Sequence, residues 1–500
     1  MCASPLQALN FAILEYSRLS LYLYLDGPRL RMAFLALILL LSSTILPAPS
    51  SAAPYNAPPN KTAQQLLHEA DAAFDTAARS YYIPLPPSLD PWYRPPLTYD
   101  WTQTEPGQVL KIRRAPLLNL TVRNALRAYQ LLYRSTDSNY NAAWDVTTLL
   151  IPRQQARCPT TTTPPPAAPW CAHALLSYQL PYDTCNPDAS PSYGLHIGSG
   201  GGGIGDPYSD PYSEIGDALS LGWFVAVPDY EGPLASYAAG VQAGHATLDG
   251  VRAVLQVAGY FGLRVEVARV GLWGYSGGAL ASEWAAELAV QYAPRLRVDG
   301  VVLGGLTPNV TSVMGFLNGR EGAGLIPQGL LGISSQHPEA RRWIVGRLKP
   351  AVREVFLGVR RMTAAQAVRA FRYQDIYGYF VGGYEDLHAR VMQMMYNVDG
   401  YMGYHGVPRM PVFIYNAIND ELSDIRDVDA LVDRFCGVGA NILYHRNTVG
   451  THMQELVNGR QRAFAWLRSV LDGSYGDLYS TLGCTIYNVT YNIAPWVGWG

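Results

Sequence analysis

The rhythm of apolar and polar residues changes along this chain. Early on, "GQVLKIRRA" reads as a strand, and "AYQLLYRSTDSNYNAAWDVTTLLIP" as a hairpin of two β-rich runs around the polar turn "STDSNYN". "CPTTTTPPPAAPWC" follows, a Pro/Thr loop that cannot hold a regular element, and then "ALLSYQL", another strand. Upstream, residues 53–105 are rich in Pro and Tyr, with a helical stretch in "KTAQQLLHEADAAFDTAARSYY".

From residue 222 apolar strands alternate with helical patterns. The strands are "GWFVAVPD" (222–229), "VARVGLWG" (267–274), "VDGVVLGG" (298–305), "MPVFIYNA" (410–417) and "ANILYHR". The helices between and after them are "SYAAGVQAGHATLDGVRAVLQVAG", "GGALASEWAAELAVQYA", "DVDALVDRFCGVG" and "HMQELVNGRQRAFAWLRSVL". Continuous apolar strands joined by helices predict an α/β fold, a mostly parallel sheet covered on both faces. Residues 306–405 interrupt the alternation with helical stretches: "ARRWIVGRLKPAVREVFLGV", "TAAQAVRAFRYQ" and "EDLHARVMQMMYNV". An insertion of this size predicts a small helical layer, a cap or lid if it covers a site on the C-terminal edge of the sheet.

The 500 residues, 49% hydrophobic and 15% charged, are enough for a sizeable core. The formal net charge of -2 gives no reason to expect nucleic acid as a partner. Near the N-terminus, Arg29 and Arg31 precede the apolar run Met32–Leu46, and small residues follow around Ser50 and Ala52. This is the pattern of a cleaved signal peptide, and the run is short for a membrane anchor. Met32 is a candidate start, with residues 1–31 an over-extended reading of the gene. Without Cys2 in that leader, the six cysteines reduce to Cys158, Cys171, Cys185, Cys436 and Cys484. The odd number leaves at least one thiol unpaired within the chain. Neither C-x-x-C nor H-E-x-x-H occurs, so no metal site is expected. Sequons stand at Asn60, Asn119, Asn309 and Asn488, glycan acceptors if the chain is exported.

Chemistry centres on "GYSGG", one match to G-x-S-x-G. The strand before it and the helix directly after it are the setting of a nucleophile elbow, so Ser276 is the candidate nucleophile. A serine hydroxyl needs a base, and the base an orienting acid, in the chain order Ser, Asp or Glu, His. Asp420 lies closest to the end of a late strand, with Glu421 and Asp424 as competitors. His452 opens the last helix, with His445 as competitor. The oxyanion would accept from the backbone N–H of Gly277 and from a second donor after an earlier strand. Asp229 in "VPDYEGP" is favoured over the glycine run "HIGSGGGGIGD" (196–206), which no clear helix follows. The Met and Tyr residues of "VMQMMYNVDGYM" either line an acyl pocket or pack the inserted helices.

"AYQLLYRSTDS", "LLSYQLPYD", "VPDYEGP", "AGHATLDGVRA", "GYSGG", "VFIYNAINDE" and "GTHMQE" together resemble the fungal secretory lipase family, the Candida antarctica lipase A type. The match spans about residues 105–470 in the same order. The resemblance implies an α/β-hydrolase core with a helical lid inserted before the catalytic acid. It implies Ser276, Asp420 and His452 as the triad, Asp229 and Gly277 as oxyanion donors, and a bridge of Cys436 with Cys484. Gly450-Thr451-His452 departs from the family's common Gly-Gly-His. The chain then divides into an extension and signal peptide (1–52), the first part of the core (53–305), the lid (306–405) and the rest of the core (406–500). The implied activity is a secreted, extracellular serine lipase acting on acylglycerol esters, needing no cofactor and keeping no transmembrane anchor once mature. The alternatives are an esterase or acyltransferase for short or soluble esters, and a non-catalytic lipid-binding protein on the same fold.

Overall fold

Ten strands, among the residues described, form one sheet: β1 (Val109–Arg114), β2 (Ala125–Thr136), β3 (Ala142–Pro152), β4 (Ala174–Gln179), β5 (Phe224–Pro228), β6 (Arg269–Tyr275), β7 (Gly300–Gly304), β8 (Val412–Ala417), β9 (Ile442–Asn447) and β10 (Cys484–Val489). The structure is a computed structural model that describes residues 61–77, 84–115, 118, 122–153, 174–196 and 211–493. The leader (1–52), Asn60, Asn119, Cys158, Cys171 and residues 197–206 of the glycine run lie outside the described residues.

The spatial order is β1-β2-β3-β5-β4-β6-β7-β8-β9-β10. The hairpin strands β2 and β3 are antiparallel, as are the pairs β1–β2 and β3–β5. From β5 through β10 every neighbouring pair is parallel. This is the mostly parallel α/β sheet expected, with an antiparallel hairpin at one side. The chain runs outward from β4 to β5, then crosses back to lay β6 on the other side of β4. The loops after β4 and β6 therefore diverge from adjacent strands, which opens a crevice at their C-terminal ends.

Alternating side chains fill the two faces. On one, Leu175, Leu272 and Ile414 pack against α3 (Gly240–Ala258), α4 (Gly277–Tyr292) and α11 (Ile425–Gly437). α1 (Ala63–Ala77) adds Leu67 to the same face. On the other, Leu176, Trp273 and Tyr415 meet α2 (Pro211–Ser220) and α12 (His452–Asp472) through Leu219 and Trp466. Each fully buried large apolar side chain contributes on the order of 1.5–3 kcal/mol. α3 begins at Gly240 rather than at Ser236, because Ala235 and Ala238 take left-handed φ of 48° and 66° in a turn.

The stretch between β7 and β8 is helical: α5 (Val310–Leu317), α6 (Leu325–Ile333), α7 (Pro338–Arg347), α8 (Pro350–Leu357), α9 (Ala364–Phe371) and α10 (Arg390–Asp399). The "ARRWIVGRLKPAVREVFLGV" segment splits at Leu348 and Lys349, whose extended backbone is what Pro350 imposes on the residue before it. This layer has its own core, including Leu330, Ile344, Phe356, Phe371 and Tyr396. Asp399 ties it to the body: its carboxylate accepts from Ser138 Oγ (2.9 Å) and from Val241 N–H (2.8 Å), and sits 2.6 Å from His337 Nε2.

A strand that the apolar pattern did not reveal, β10, extends the sheet beside β9. The Cys436–Cys484 disulfide fastens its first residue to the end of α11. Cys185 is a free, buried thiol, pushed up to about 12 by burial.

Candidate active site

Ser276 stands between β6 and α4, at φ 54° and ψ -123°. For a residue with a Cβ this conformation is strained by about 1–3 kcal/mol, and it holds the hydroxyl up at the sheet edge. Its N–H donates to the Gly304 carbonyl of β7 (2.9 Å), which locks the turn. The neighbours must be small. A Cβ on Gly277 would lie 1.9 Å from Asp183 Oδ1, and one on Gly278 would lie 2.0 Å from the Gln179 carbonyl oxygen. The turn thus presses against the end of β4.

Two later strand ends supply the partners. β8 leads into the loop holding Asp420, whose Oδ1 accepts the N–H groups of Leu422 (2.8 Å) and Ser423 (2.9 Å). β9 leads to Thr451, which caps α12: its hydroxyl accepts from Gln454 N–H and its N–H donates back to Gln454 Oε1. That capping box sets His452 as the first helical residue. His452 Nδ1 is 2.7 Å from Asp420 Oδ2, and its Nε2 is 2.9 Å from Ser276 Oγ. The His452 backbone is held as well, its N–H donating to Glu421 (2.6 Å) and its carbonyl accepting from Tyr275 OH (2.5 Å). Burial alone would lower the imidazole pKa. The carboxylates of Asp420, Glu421 and Asp183 outweigh burial and hold it above its ordinary value.

The competitors sit elsewhere. His445 Nδ1 accepts from Arg462 (2.9 Å), and burial beside that cation pushes its pKa down to about 4. Asp424 caps α11 by accepting Arg426 N–H. Glu421 holds the histidine's backbone rather than its ring.

The expectation for Asp229 fails. Its N–H already donates to the Val146 carbonyl (2.8 Å), and its carboxylate accepts from Ser192 N–H (2.7 Å) and Oγ. Asp229 follows β5, and β4 lies between β5 and β6. The residue that follows the strand beside the elbow is Asp183. It is buried, takes a left-handed φ of 46°, and packs on Gly277. Neither the Asp183 N–H nor the Gly277 N–H has a hydrogen-bond partner among the described residues. Burial pushes the Asp183 carboxyl up to about 7, against the pull of His452, and its Oδ1 has no partner. "LLSYQLPYD" held this residue, but nothing in the sequence said that β4, not β5, would adjoin β6.

A cavity of about 50 Å³ reaches Ser276 and Gly277. Val310, Val313, Met314 and Leu317 of α5 form one wall at helical spacing, and Leu330 and Ile333 of α6 another. Met392, Met395 and Tyr396 of α10 lie instead in the helical layer's own core, so for these three the packing alternative holds, while Met394 is exposed. The stripe at 310, 313, 314 and 317 was the signal to find in the sequence.

Among the described residues no group of three or more His, Cys, Asp or Glu is placed to hold a metal ion. None of their helices is long and apolar enough to cross a membrane.

Comparison with known proteins gives a consistent set of relatives. The family model described as "Secretory lipase" matches residues 212–476. A trichothecene C-3 esterase of Fusarium sporotrichioides is 44% identical over 420 residues, 82% of this chain and 89% of that protein. Lipase A of Arthroderma benhamiae is 37% identical over 396 residues, 78% of this chain and 81% of the other. Among solved structures, Candida antarctica lipase A in its closed state superposes with a TM-score of 0.71 at 27% identity. The match covers 83% of this chain and 92% of that one.

Proposed function

The chain belongs to the secretory lipase family and is a carboxylic ester hydrolase; from that premise we propose that it is a secreted serine lipase acting on acylglycerols. The observation that carries the mechanism is the hydrogen-bonded line from Asp420 through His452 to Ser276. As Ser276 Oγ attacks the ester carbonyl, His452 Nε2 takes its proton. Asp420, itself fixed by two N–H groups, holds the ring and stabilises the imidazolium. The tetrahedral oxyanion accepts from the N–H groups of Asp183 and Gly277, with Gly277 at the positive end of α4. His452 then protonates the departing alkoxide, leaving an acyl-enzyme. Water repeats the sequence and releases the acid.

In this reading residues 1–52 are the export leader, 306–405 the lid, and 53–305 with 406–500 the hydrolase core. The apolar walls from α5 and α6 support an acyl-binding role for the cavity. Its small volume favours a second reading, in which the acyl group is short and the alcohol is the larger part of the ester. The relative named as a trichothecene esterase is compatible with that reading.

Reaction with a fluorophosphonate probe tests the mechanism: we expect one adduct, on Ser276, lost in Ser276→Ala. A folded protein that takes no label would instead be a binding protein. Initial rates on triacylglycerols from acetyl to oleoyl esters separate the two substrate readings. Absence of long-chain hydrolysis removes the lipase reading and leaves the short-ester one.

A further inference from the structure

β10 closes the sheet on one side, and among the described residues no strand pairs with its outer edge. The carbonyls of Gly483 and Val489 accept from Ile442 N–H (3.2 Å) and Thr448 N–H (2.8 Å). In a parallel pair, alternate residues turn both backbone groups to the same neighbour. The odd-numbered residues of β10 therefore face β9, and Ile486 and Asn488 turn their N–H and C=O to the open side. The strand reads "CTIYNV" and has no charge and no proline, the usual devices that blunt an edge. Ile486 is 47% exposed and Tyr487 55%. Such an edge is a template for pairing with another chain unless something covers it.

Asn488 opens the sequon Asn488-Val489-Thr490 on that strand. Its side chain is exposed; its Oδ1 accepts from Arg446 Nη1 (3.3 Å), while its Nδ2 has no hydrogen-bond partner among the described residues. The other described sequon differs. Asn309 is half-buried, and its Oδ1 accepts from Thr311 N–H, Ser312 N–H and Thr311 Oγ as the cap of α5, beside the cavity. Its backbone is also bridged to Tyr401.

We propose that Asn488 is an N-glycan acceptor and that its glycan covers the open β10 edge. This rests on the secreted reading above. In the modification, Asn488 Nδ2 attacks the anomeric carbon of a lipid-pyrophosphate-linked oligosaccharide. The C–N bond forms as the C–O bond breaks, and the Nδ2 proton leaves with the lipid pyrophosphate. The hydrophilic branch then stands where a second strand would dock, and the chain stays monomeric.

The test is secretion of the full chain, with its own residues 1–52, from a yeast host. Peptide mass spectrometry of the medium should find N-acetylhexosamine on Asn488. Asn488→Gln and Thr490→Ala should lose it, and Thr490→Ser should keep it. Light scattering should then show concentration-dependent self-association of Asn488→Gln, and of wild-type protein trimmed by an endoglycosidase, where untrimmed protein remains monomeric. Exported protein with a bare Asn488 overturns the proposal. So does a trimmed protein that is as monomeric as the untrimmed one. A chain retained inside the cell overturns the secreted reading and this proposal with it, whereas an exported, glycosylated chain without lipase activity overturns the catalytic reading alone.

Discussion

Asp183 and Gly277 are in such close contact that a single added carbon on Gly277 would sit 1.9 Å from the Asp183 carboxylate. They come from the ends of adjacent strands, β4 and β6, on the two sides of the crevice. Gly277→Ala should therefore push apart the two N–H groups assigned to the oxyanion. We expect kcat to fall by about 10²–10³, the effect of losing one such donor, with little change in KM. Steady-state kinetics on a soluble p-nitrophenyl ester check this. Asp229→Asn should leave kcat within a few-fold, because the Asp229 carboxylate bonds Ser192 and lies one strand away from the elbow.

Removing the nucleophile or the base should abolish most turnover, and the losses should not add. Ser276→Ala and His452→Ala are each expected to lower kcat by at least about 10⁴, and the double variant by little more. Asp420→Asn should lose about 10⁴ through the wrong imidazole tautomer. A double variant whose loss equals the product of the single losses would show that the two residues act independently.

The pH profile should show activity and stability moving in opposite directions. The proposed mechanism requires the base form of His452, so kcat/KM should rise with pH through an apparent pKa above the ordinary 6.5. For stability, the buried carboxyls of Asp183 and Asp229 are raised to about 7, and that of Asp249 to about 6. Each folded-state pKa lies above its unfolded value of 3.8, so the folded chain binds more protons between the two values. Stability is then greatest at low pH and declines as pH climbs through the folded pKa. His452 contributes in the same sense, since its folded pKa is also raised. His245 and His445, lowered to about 4, act in the opposite sense below pH 6.5 but are outnumbered by the raised carboxyls. We expect Tm to fall between pH 5 and pH 8, measured by calorimetry. A Tm rising over that range would mean that these carboxyls are ionised in the folded protein at pH 5.

Met314 is buried on the α5 wall of the cavity. Met314→Ala should lower stability by roughly 2–5 kcal/mol and enlarge the space beside Ser276. The ratio of rates on octanoyl and acetyl esters should rise. An unchanged ratio would mean that the acyl group lies elsewhere.

The Cys436–Cys484 disulfide closes a loop with a sequence separation of 48. Chain-entropy arguments give such a cross-link about 4 kcal/mol, and measured values commonly fall at 2–4. Replacing both cysteines with serine should lower stability by that amount and loosen β10 first. Hydrogen exchange along residues 484–489 would report it, with Ser276-dependent turnover largely kept.

The amino-acid pattern alone determined the α/β class, because buried parallel strands must be continuously apolar and their helices amphipathic. Local chemistry also marked Ser276, since a strand, three small residues and a helix are all within ten positions of it. Asp420 and His452 were legible as strand-end residues in the right order. Their selection over Glu421 and His445 rests on contacts across the fold, because His452 and Ser276 lie 176 residues apart. The reversal of β4 and β5 was beyond reach. Strand order is set by which faces pack together, not by sequence adjacency, so the sequence pointed to Asp229 where the fold brings Asp183 against Gly277. β10 escaped notice because an exposed edge strand carries little apolar periodicity. The cavity walls in α5 and α6 became meaningful only when the tertiary structure brought that helical stripe over Ser276.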